Sequence, residues 1–257
     1  MMFRDRSDAG RQLAGKLRHL KDGKPTVLAL PRGGVPVGFE VAGALAAPLD
    51  VLLVRKIGVP WQPELALGAV TDGEQPDTFI DKDLAKLLGI SDDFIKEETA
   101  RQVEELERRR RVYCAGRPPV DIAGATAIVV DDGIATGATM RVALQAARKR
   151  NPARLVLATP VAAPDTVDRL RPLADEVVCV EMPADLGAIG FYYTDFHQMR
   201  DEEVTAILAR ATAPATAPAE PKAEPKAAAG WRKFLGRHLR KSDREPQPVP
   251  QDHSADR

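Results

Sequence analysis

One stretch constrains the fold more than any other. Four apolar residues, Ala127, Ile128, Val129 and Val130, run straight into two adjacent carboxylates, Asp131 and Asp132, and then into Gly133, Ile134, Ala135, Thr136, Gly137, Ala138, Thr139 and Met140. A short continuous apolar run of this kind is the mark of a buried parallel strand. Residues 141–150 read as a helix. A loop at the carboxyl end of a strand, opening into a helix, is where an open α/β sheet binds its ligand. The first backbone N–H groups of such a helix favour an anion, and threonine hydroxyls add donors beside them. Two carboxylates cannot hold a phosphate, but they accept hydrogen bonds from the vicinal hydroxyls of a sugar. The combination describes a site for a ribose 5-phosphate, with the acids on the ribose and the loop on the phosphate. A plain turn, with Asp132 and Gly133 as turn residues and Thr136 as a helix N-cap, explains each residue singly but not the doubled acid with two threonines.

Two earlier segments have related character. Residues 26–30 form another apolar run, ending in Pro31, Arg32, Gly33 and Gly34, and residues 35–47 read as a helix. Adjacent glycines allow a backbone to approach a ligand closely, and the guanidinium of Arg32 offers a planar fork suited to phosphate oxygens. Taken alone, this reads first as a strand-to-helix turn with a surface arginine; its place ahead of the acid-and-threonine loop in the chain favours a ligand loop. Residues 50–54 read as a strand ending in Arg55 and Lys56, where fixed cations can stabilise charge on a departing anion. Beyond it, Gly58, Pro60 and Pro63 suggest an irregular loop.

The motif from Asp131 to Thr139 resembles the phosphoribosyl pyrophosphate (PRPP) binding motif of type I phosphoribosyltransferases, and the segments at 54–70 and 190–203 resemble a bacterial subgroup of that family. The resemblance implies that Asp131 and Asp132 bind the ribose hydroxyls and that Gly133, Ala135, Thr136, Gly137, Ala138 and Thr139 surround the 5-phosphate. Ala138 stands where many members have a second glycine. Arg32, Gly33 and Gly34 are similar to the family's pyrophosphate loop, with Arg55 and Lys56 further cations for the leaving group; Asp131, Asp132, Arg55 and Lys56 are then the catalytic candidates. The implied fold is α/β and Rossmann-like, a parallel sheet flanked by helices, with a small hood and a disordered C-terminal tail. The implied reaction transfers the 5-phosphoribosyl group of PRPP to a nitrogen acceptor with release of pyrophosphate. It implies Mg²⁺ carried by substrate rather than by dedicated protein ligands, a closing lid within residues 57–78, and a homo-oligomer, a dimer. The competing reading is a non-catalytic PRPP or nucleotide sensor on the same fold.

Composition fits this picture. The 257 residues are 44% hydrophobic and 29% charged, enough for one sizeable core. With 37 basic and 37 acidic residues the net charge is zero, so no nucleic-acid partner is expected. The absence of a long apolar run or signal peptide, with only Cys114 and Cys179, points to a cytoplasmic protein with free thiols. The four histidines are scattered, which disfavours a structural zinc.

Elsewhere, residues 11–20 read as an amphipathic helix. Ser91 reads as the N-cap of a long helix reaching about Val112, with Glu104–Arg108, Glu105–Arg109 and Glu107–Arg111 spaced for i,i+4 pairing. The arginine run 108–111 then reads as a salt-bridged, solvated helix end. Residues 155–159 and 176–180 read as strands around a helix at 164–173, and 201–210 as a terminal helix. Phe191, Tyr192, Tyr193 and Phe196 cluster in a chain that is only 5% aromatic; they suit either packing at the sheet edge or stacking on an acceptor. The domain is expected over residues 1–210, followed by an Ala/Pro-rich linker at 211–230 and a basic tail at 231–257. Within the tail, Trp231, Phe234, Leu235 and Leu239 have helical spacing. An anionic membrane, a partner groove and an unstructured solubilising end all remain open for residues 231–241.

Overall fold

A computed structural model describes residues 2–71, 77–114 and 119–211. The expected linker and tail, and part of the expected lid, lie outside the described residues. In chain order the elements are α1 (Arg6–Leu17), β1 (Thr26–Ala29), α2 (Gly34–Leu45), β2 (Leu49–Val51), β3 (Val54–Val59), β4 (Gln62–Thr71), β5 (Asp77–Ile80), α3 (Lys82–Leu87), α4 (Asp92–Cys114), β6 (Thr126–Val130), α5 (Ala138–Lys149), β7 (Arg154–Val161), α6 (Pro164–Leu170), β8 (Glu176–Glu181) and α7 (Asp201–Ala211). Short 3-10 turns cover Arg18–Gly23, Arg171–Leu173 and Ile189–Tyr192.

The centre is a five-stranded, all-parallel sheet in the order β2-β1-β6-β7-β8. Its apolar runs are buried on both faces, and the strand period of two divides them. Val27, Ala29, Ile128, Val130, Val156 and Ala158 pack with Leu13 and Leu17 of α1, Val37 and Val41 of α2, and Val204 and Leu208 of α7. Leu28, Ala127, Val129, Leu155 and Leu157 pack on the other side with Met140, Ala143 and Leu144 of α5 and Val167 and Leu170 of α6. This is the Rossmann-like α/β architecture expected from the motif.

Several boundaries shift for local reasons. Helix α1 starts five residues before the expected position because Asp5 caps it, its carboxylate accepting the Asp8 N–H at 2.7 Å. It stops at Leu17, and Leu20 reaches the core from the 3-10 turn instead. Ser91 does open the long helix, its hydroxyl accepting the Phe94 N–H at 3.2 Å. No helix among the described residues is long and apolar enough to cross a membrane.

The largest correction concerns residues 50–80. The expected strand at 50–54 is two elements: β2 ends at Val51, and Arg55 and Lys56 belong to β3. The expected irregular loop is mostly a second, antiparallel sheet, β3-β4-β5. Gly58 sits at a register shift in the β3–β4 pairing rather than in a loop. Pro60 and Trp61 form the turn, and Trp61 is 64% exposed. What overrides the breakers is burial: Ile57, Val59, Leu67 and Val70 join Val103, Leu106 and Tyr113 of α4 in the main core.

Candidate active site

In the order β2-β1-β6-β7-β8, the chain turns one way from β1 to β2 and the other way to β6. The strand order therefore reverses between β1 and β6, which are directly paired. The crevice outside the carboxyl ends of two such strands is the natural binding place of an open α/β sheet. The loop after β1 carries Arg32, Gly33 and Gly34, and the loop after β6 carries residues 131–137, so topology brings together two segments distant in the chain.

The contact between them is close. A Cβ placed on Gly33 would lie 1.9 Å from Asp132 Oδ2, and one on Gly34 would lie 2.7 Å from the Val130 carbonyl oxygen and 3.0 Å from Asp131 Cα. Only glycine lets the β1 loop sit against the acid pair. The Pro31–Arg32 peptide is cis. Arg32 itself faces the start of α7, with Nη1 3.9 Å from Asp201 Oδ1.

Within the pair, the Asp132 N–H donates to Asp131 Oδ1 at 2.9 Å. The two carboxyls have different surroundings. Burial and the neighbouring Asp132 push the Asp131 carboxyl well above the usual carboxylate range. Burial also raises Asp132, but Arg6 opposes it: Arg6 Nε donates to Asp132 Oδ2 at 2.7 Å. The two like charges share one confined place, and the asymmetry leaves Asp132 the more readily ionised.

Residues 133–139 form the floor. Ile134 pairs with Ala162, its N–H donating to the Val161 carbonyl at 2.9 Å. Gly133 packs closely on Ile189, whose side chain would have to shift for anything larger, since a Cβ there would lie 2.4 Å from Ile189 Cγ2. The Thr166 hydroxyl donates to the Ala135 carbonyl at 2.9 Å and accepts from Arg169 Nη2 at 3.0 Å. Gly137, at φ +80°, turns the chain into α5, a conformation that L side chains resist. The Ala138 N–H lies 3.4 Å from Thr136 Oγ1, and Ala138 and Thr139 open α5. The exposed loop thus ends at a helix N-terminus, as anion binding requires.

Arg55 is placed differently from the expectation. On β3 it is half-buried and turned towards α4, with Nε donating to Gln102 Oε1 at 2.8 Å. Burial, and then Arg109, lower its pKa, while Glu105 and Glu98 oppose them. Arg55 thus faces a helix rather than the acid pair. Lys56 follows it on β3, in the antiparallel sheet, and not at the end of a parallel strand. The side chain of Glu64, another residue of the expected lid, lies outside the described residues.

One site residue carries no signal in the sequence, and another stands out only as part of the aromatic cluster. The first is Arg6: its side chain is 9% exposed, its guanidinium lies 4.0 Å from the Phe196 ring centroid, and Nη1 donates to the His197 carbonyl at 2.9 Å. An arginine in the first turn of a polar helix looks like a surface residue, and only its burial marks it. Tyr193 donates to the Asp132 carbonyl at 2.5 Å, and burial and Asp132 push its phenol up. The aromatic cluster has divided roles. Tyr193 packs between Phe3 and Phe196, with ring centroids at 5.3 and 4.9 Å, and Phe3 pairs with Tyr193 as a β-bridge. Phe191 is 73% exposed.

Comparison with known proteins gives the family. The phosphoribosyl transferase domain family matches residues 5–195. Two Mycobacterium tuberculosis proteins provisionally named phosphoribosyl transferases are each 47% identical over 210 residues, 82% of this chain. The chain spans about half the length of these curated relatives, 47%. A crystal structure from Thermus thermophilus superposes with a TM-score of 0.72 at 44% identity, covering 82% of this chain and 99% of that one. The chain belongs to the type I, PRPP-binding phosphoribosyltransferase family.

Proposed function

We propose that the protein transfers the 5-phosphoribosyl group of PRPP to a nitrogen acceptor of nucleobase type and releases pyrophosphate. One observation carries this reading: the Asp132 carboxylate lies directly against Gly33, so the acid pair and the Arg32–Gly34 backbone meet at the carboxyl ends of β1 and β6, where the loop of the acids runs on to open α5. A ligand with a sugar diol between a 5-phosphate and a diphosphate suits that order of groups.

In this reading the residues position and stabilise rather than react covalently. Asp132, the more readily ionised of the two because Arg6 opposes the effect of burial, accepts from a ribose hydroxyl. Asp131, whose carboxyl is pushed up by burial, stands ready to donate or accept at the neighbouring hydroxyl. Carboxylate charge beside the sugar eases positive charge that develops on the ring as the C1–O bond breaks. Thr136, Gly137, Ala138 and Thr139 hold the phosphate through hydroxyl and backbone donors. Arg32 and the Gly33–Gly34 backbone receive the pyrophosphate, with Arg32 leaving the long contact to Asp201. Among the described residues no group of three or more His, Cys, Asp or Glu side chains could hold a metal. With no dedicated protein ligands present, a Mg²⁺ would be carried by the substrate's own phosphate and hydroxyl oxygens and water. That ion would neutralise charge on the diphosphate.

The test is a panel of nucleobases and other nitrogen compounds assayed for PRPP- and Mg²⁺-dependent pyrophosphate release. Turnover with one acceptor, abolished in folded Asp131→Asn/Asp132→Asn protein, is the expected result. Saturable PRPP binding without turnover on any acceptor would favour a sensor. Unchanged PRPP affinity in the folded double variant would overturn the assignment of the acid pair.

A further inference from the structure

We infer that Arg6 is a positioning residue, which fixes the Asp132 carboxylate against Gly33 and ties the ribose end of β6 to the segment 193–197. The role in ligand binding rests on the PRPP reading above; the role in holding Asp132 does not.

The geometry is specific. Asp132 is wedged between two fixed surfaces, the backbone of Gly33 on one side and the Arg6 fork on the other. Arg6 in turn is held at three places: Nε on Asp132, Nη1 on the His197 carbonyl, and its flat face on the Phe196 ring. A guanidinium that is buried, stacked and doubly hydrogen-bonded has given up its side-chain freedom, so it returns a fixed geometry rather than a diffuse attraction. The backbone supports the same connection. Phe3 N–H donates to the Tyr192 carbonyl at 2.8 Å, Thr194 N–H to the Phe3 carbonyl at 2.8 Å, and Asp195 N–H to the Arg4 carbonyl at 2.9 Å. The first residues of the chain are thereby laid along the 192–195 segment, and Arg6 projects from the next turn into the acid pair. The Tyr193 hydroxyl holds the Asp132 backbone from the same segment. One acid is therefore clamped at its backbone by a segment far downstream and at its side chain by a residue near the N-terminus.

The charged and titratable groups around the Arg6–Asp132 pair are few. Asp131 adjoins Asp132 on the loop, Tyr193 faces it from beyond the last 3-10 turn, and Asp195 lies near Arg6. The His197 ring joins this group through Asp195, with Nδ1 3.0 Å from Asp195 Oδ1, and also reaches Glu203, with Nε2 3.1 Å from Glu203 Oε1; these two acids raise its pKa. On the neighbouring loop Arg32 faces Asp201. Arg6 is thus the cation in contact with Asp132, and its removal leaves the acid buried beside a second acid.

The experiment follows the Asp132 carboxyl by carbon NMR in ligand-free, full-length protein, and PRPP binding by calorimetry. In Arg6→Gln the Asp132 titration midpoint is expected to rise by about one unit or more, because an opposite charge in contact lowers a carboxyl by that amount. Arg6→Lys, which keeps the charge but not the fork, is expected to restore most of the midpoint while PRPP affinity stays weakened. At pH 8 the expected loss of PRPP affinity in Arg6→Gln is about tenfold, and it should deepen as pH falls. Phe196→Leu leaves Arg6 in place but removes the ring beneath it, and a smaller rise is expected there; this variant decides the matter if Arg6→Gln does not fold. An unmoved Asp132 midpoint in a folded variant overturns the inference. If the wild type binds no PRPP, the reading of the crevice fails, yet a raised midpoint still establishes Arg6 as the residue that holds Asp132.

Discussion

The two polar regions of this protein are built on opposite plans. At the ends of β1 and β6, few groups act and each is enclosed: Asp131, Asp132, Arg6 and the Gly33–Gly34 backbone meet with no space for an added methyl. Along α4 the groups are many and, apart from the buried Tyr113, partly open to water. Glu105 accepts from Arg108 and Arg109, and Arg108 also reaches Asp201, which takes the Tyr113 hydroxyl at 2.5 Å and faces Arg32. Enclosure raises the stakes of each contact, because a buried charge that loses its partner cannot turn to water. In the exposed network water replaces a lost partner at small cost. The first plan suits recognition, which needs fixed geometry. The second suits holding a helix in place, and there the apolar contacts beneath it do most of the holding.

The difference can be broken or sharpened by substitution. The largest effect is expected where α4 meets the core rather than where its charges meet. Leu106→Ala should lower unfolding free energy by about 2–5 kcal/mol in denaturant titration, since Leu106 is fully buried with Val103 and Ile57. A loss below about 1 kcal/mol would mean that the charges, not the core, hold α4.

Arg32 joins the two regions. Arg32→Ala should weaken pyrophosphate and PRPP by about 1.5–3 kcal/mol, the scale of a charge-assisted hydrogen bond, and ribose 5-phosphate much less. Calorimetry with the three ligands checks it, and equal losses would assign Arg32 to structure rather than to the pyrophosphate side.

Gly33→Ala tests the enclosure directly. The new methyl would meet the Asp132 carboxylate, which is held by Arg6, so an overpacking cost of about 1–3 kcal/mol in stability is expected, together with weaker PRPP binding. Gly43→Ala in α2 is the control, with nothing within 4 Å of the added Cβ. An equally harmless Gly33→Ala would show that the two loops are not in contact in solution.

The smallest effect is expected at Glu105. Arg108 and Arg109 hold its carboxyl down to about 2, from an ordinary value of 4.5. A lowered folded-state value contributes stability that is complete above about pH 4.5 and is lost as pH falls towards 2. Because Glu105 and its main partner Arg108 are both partly exposed, Glu105→Gln should cost less than about 1 kcal/mol at neutral pH and should flatten the acid limb of stability between those limits. A larger loss at neutral pH would show that the α4 network is as enclosed as the acid pair.

The chain's own order determined a good deal. An apolar run closed by two acids and a threonine loop identifies a strand, its turn and its helix, because strand burial, helix capping and anion binding are local properties of consecutive residues. So Asp131, Asp132 and the 133–139 loop were legible, as were the α4 cap at Ser91 and the Glu105–Arg109 pair. Residues 54–71 were not legible: Gly58, Pro60 and Pro63 argue for a loop, and only burial against α4 makes the segment a hairpin. Arg55 shows the same limit, since its direction depends on which helix lies over β3. Arg6 shows it most plainly. Nothing adjacent to it in sequence distinguishes it from a solvated arginine; its meaning comes from the β-bridge between Phe3 and Tyr193, which carries it to Asp132. Sequence determined the pieces whose energetics are local, and tertiary structure decided which distant charge each buried acid would meet, because a buried ion's state depends on everything that surrounds it rather than on its neighbours along the chain.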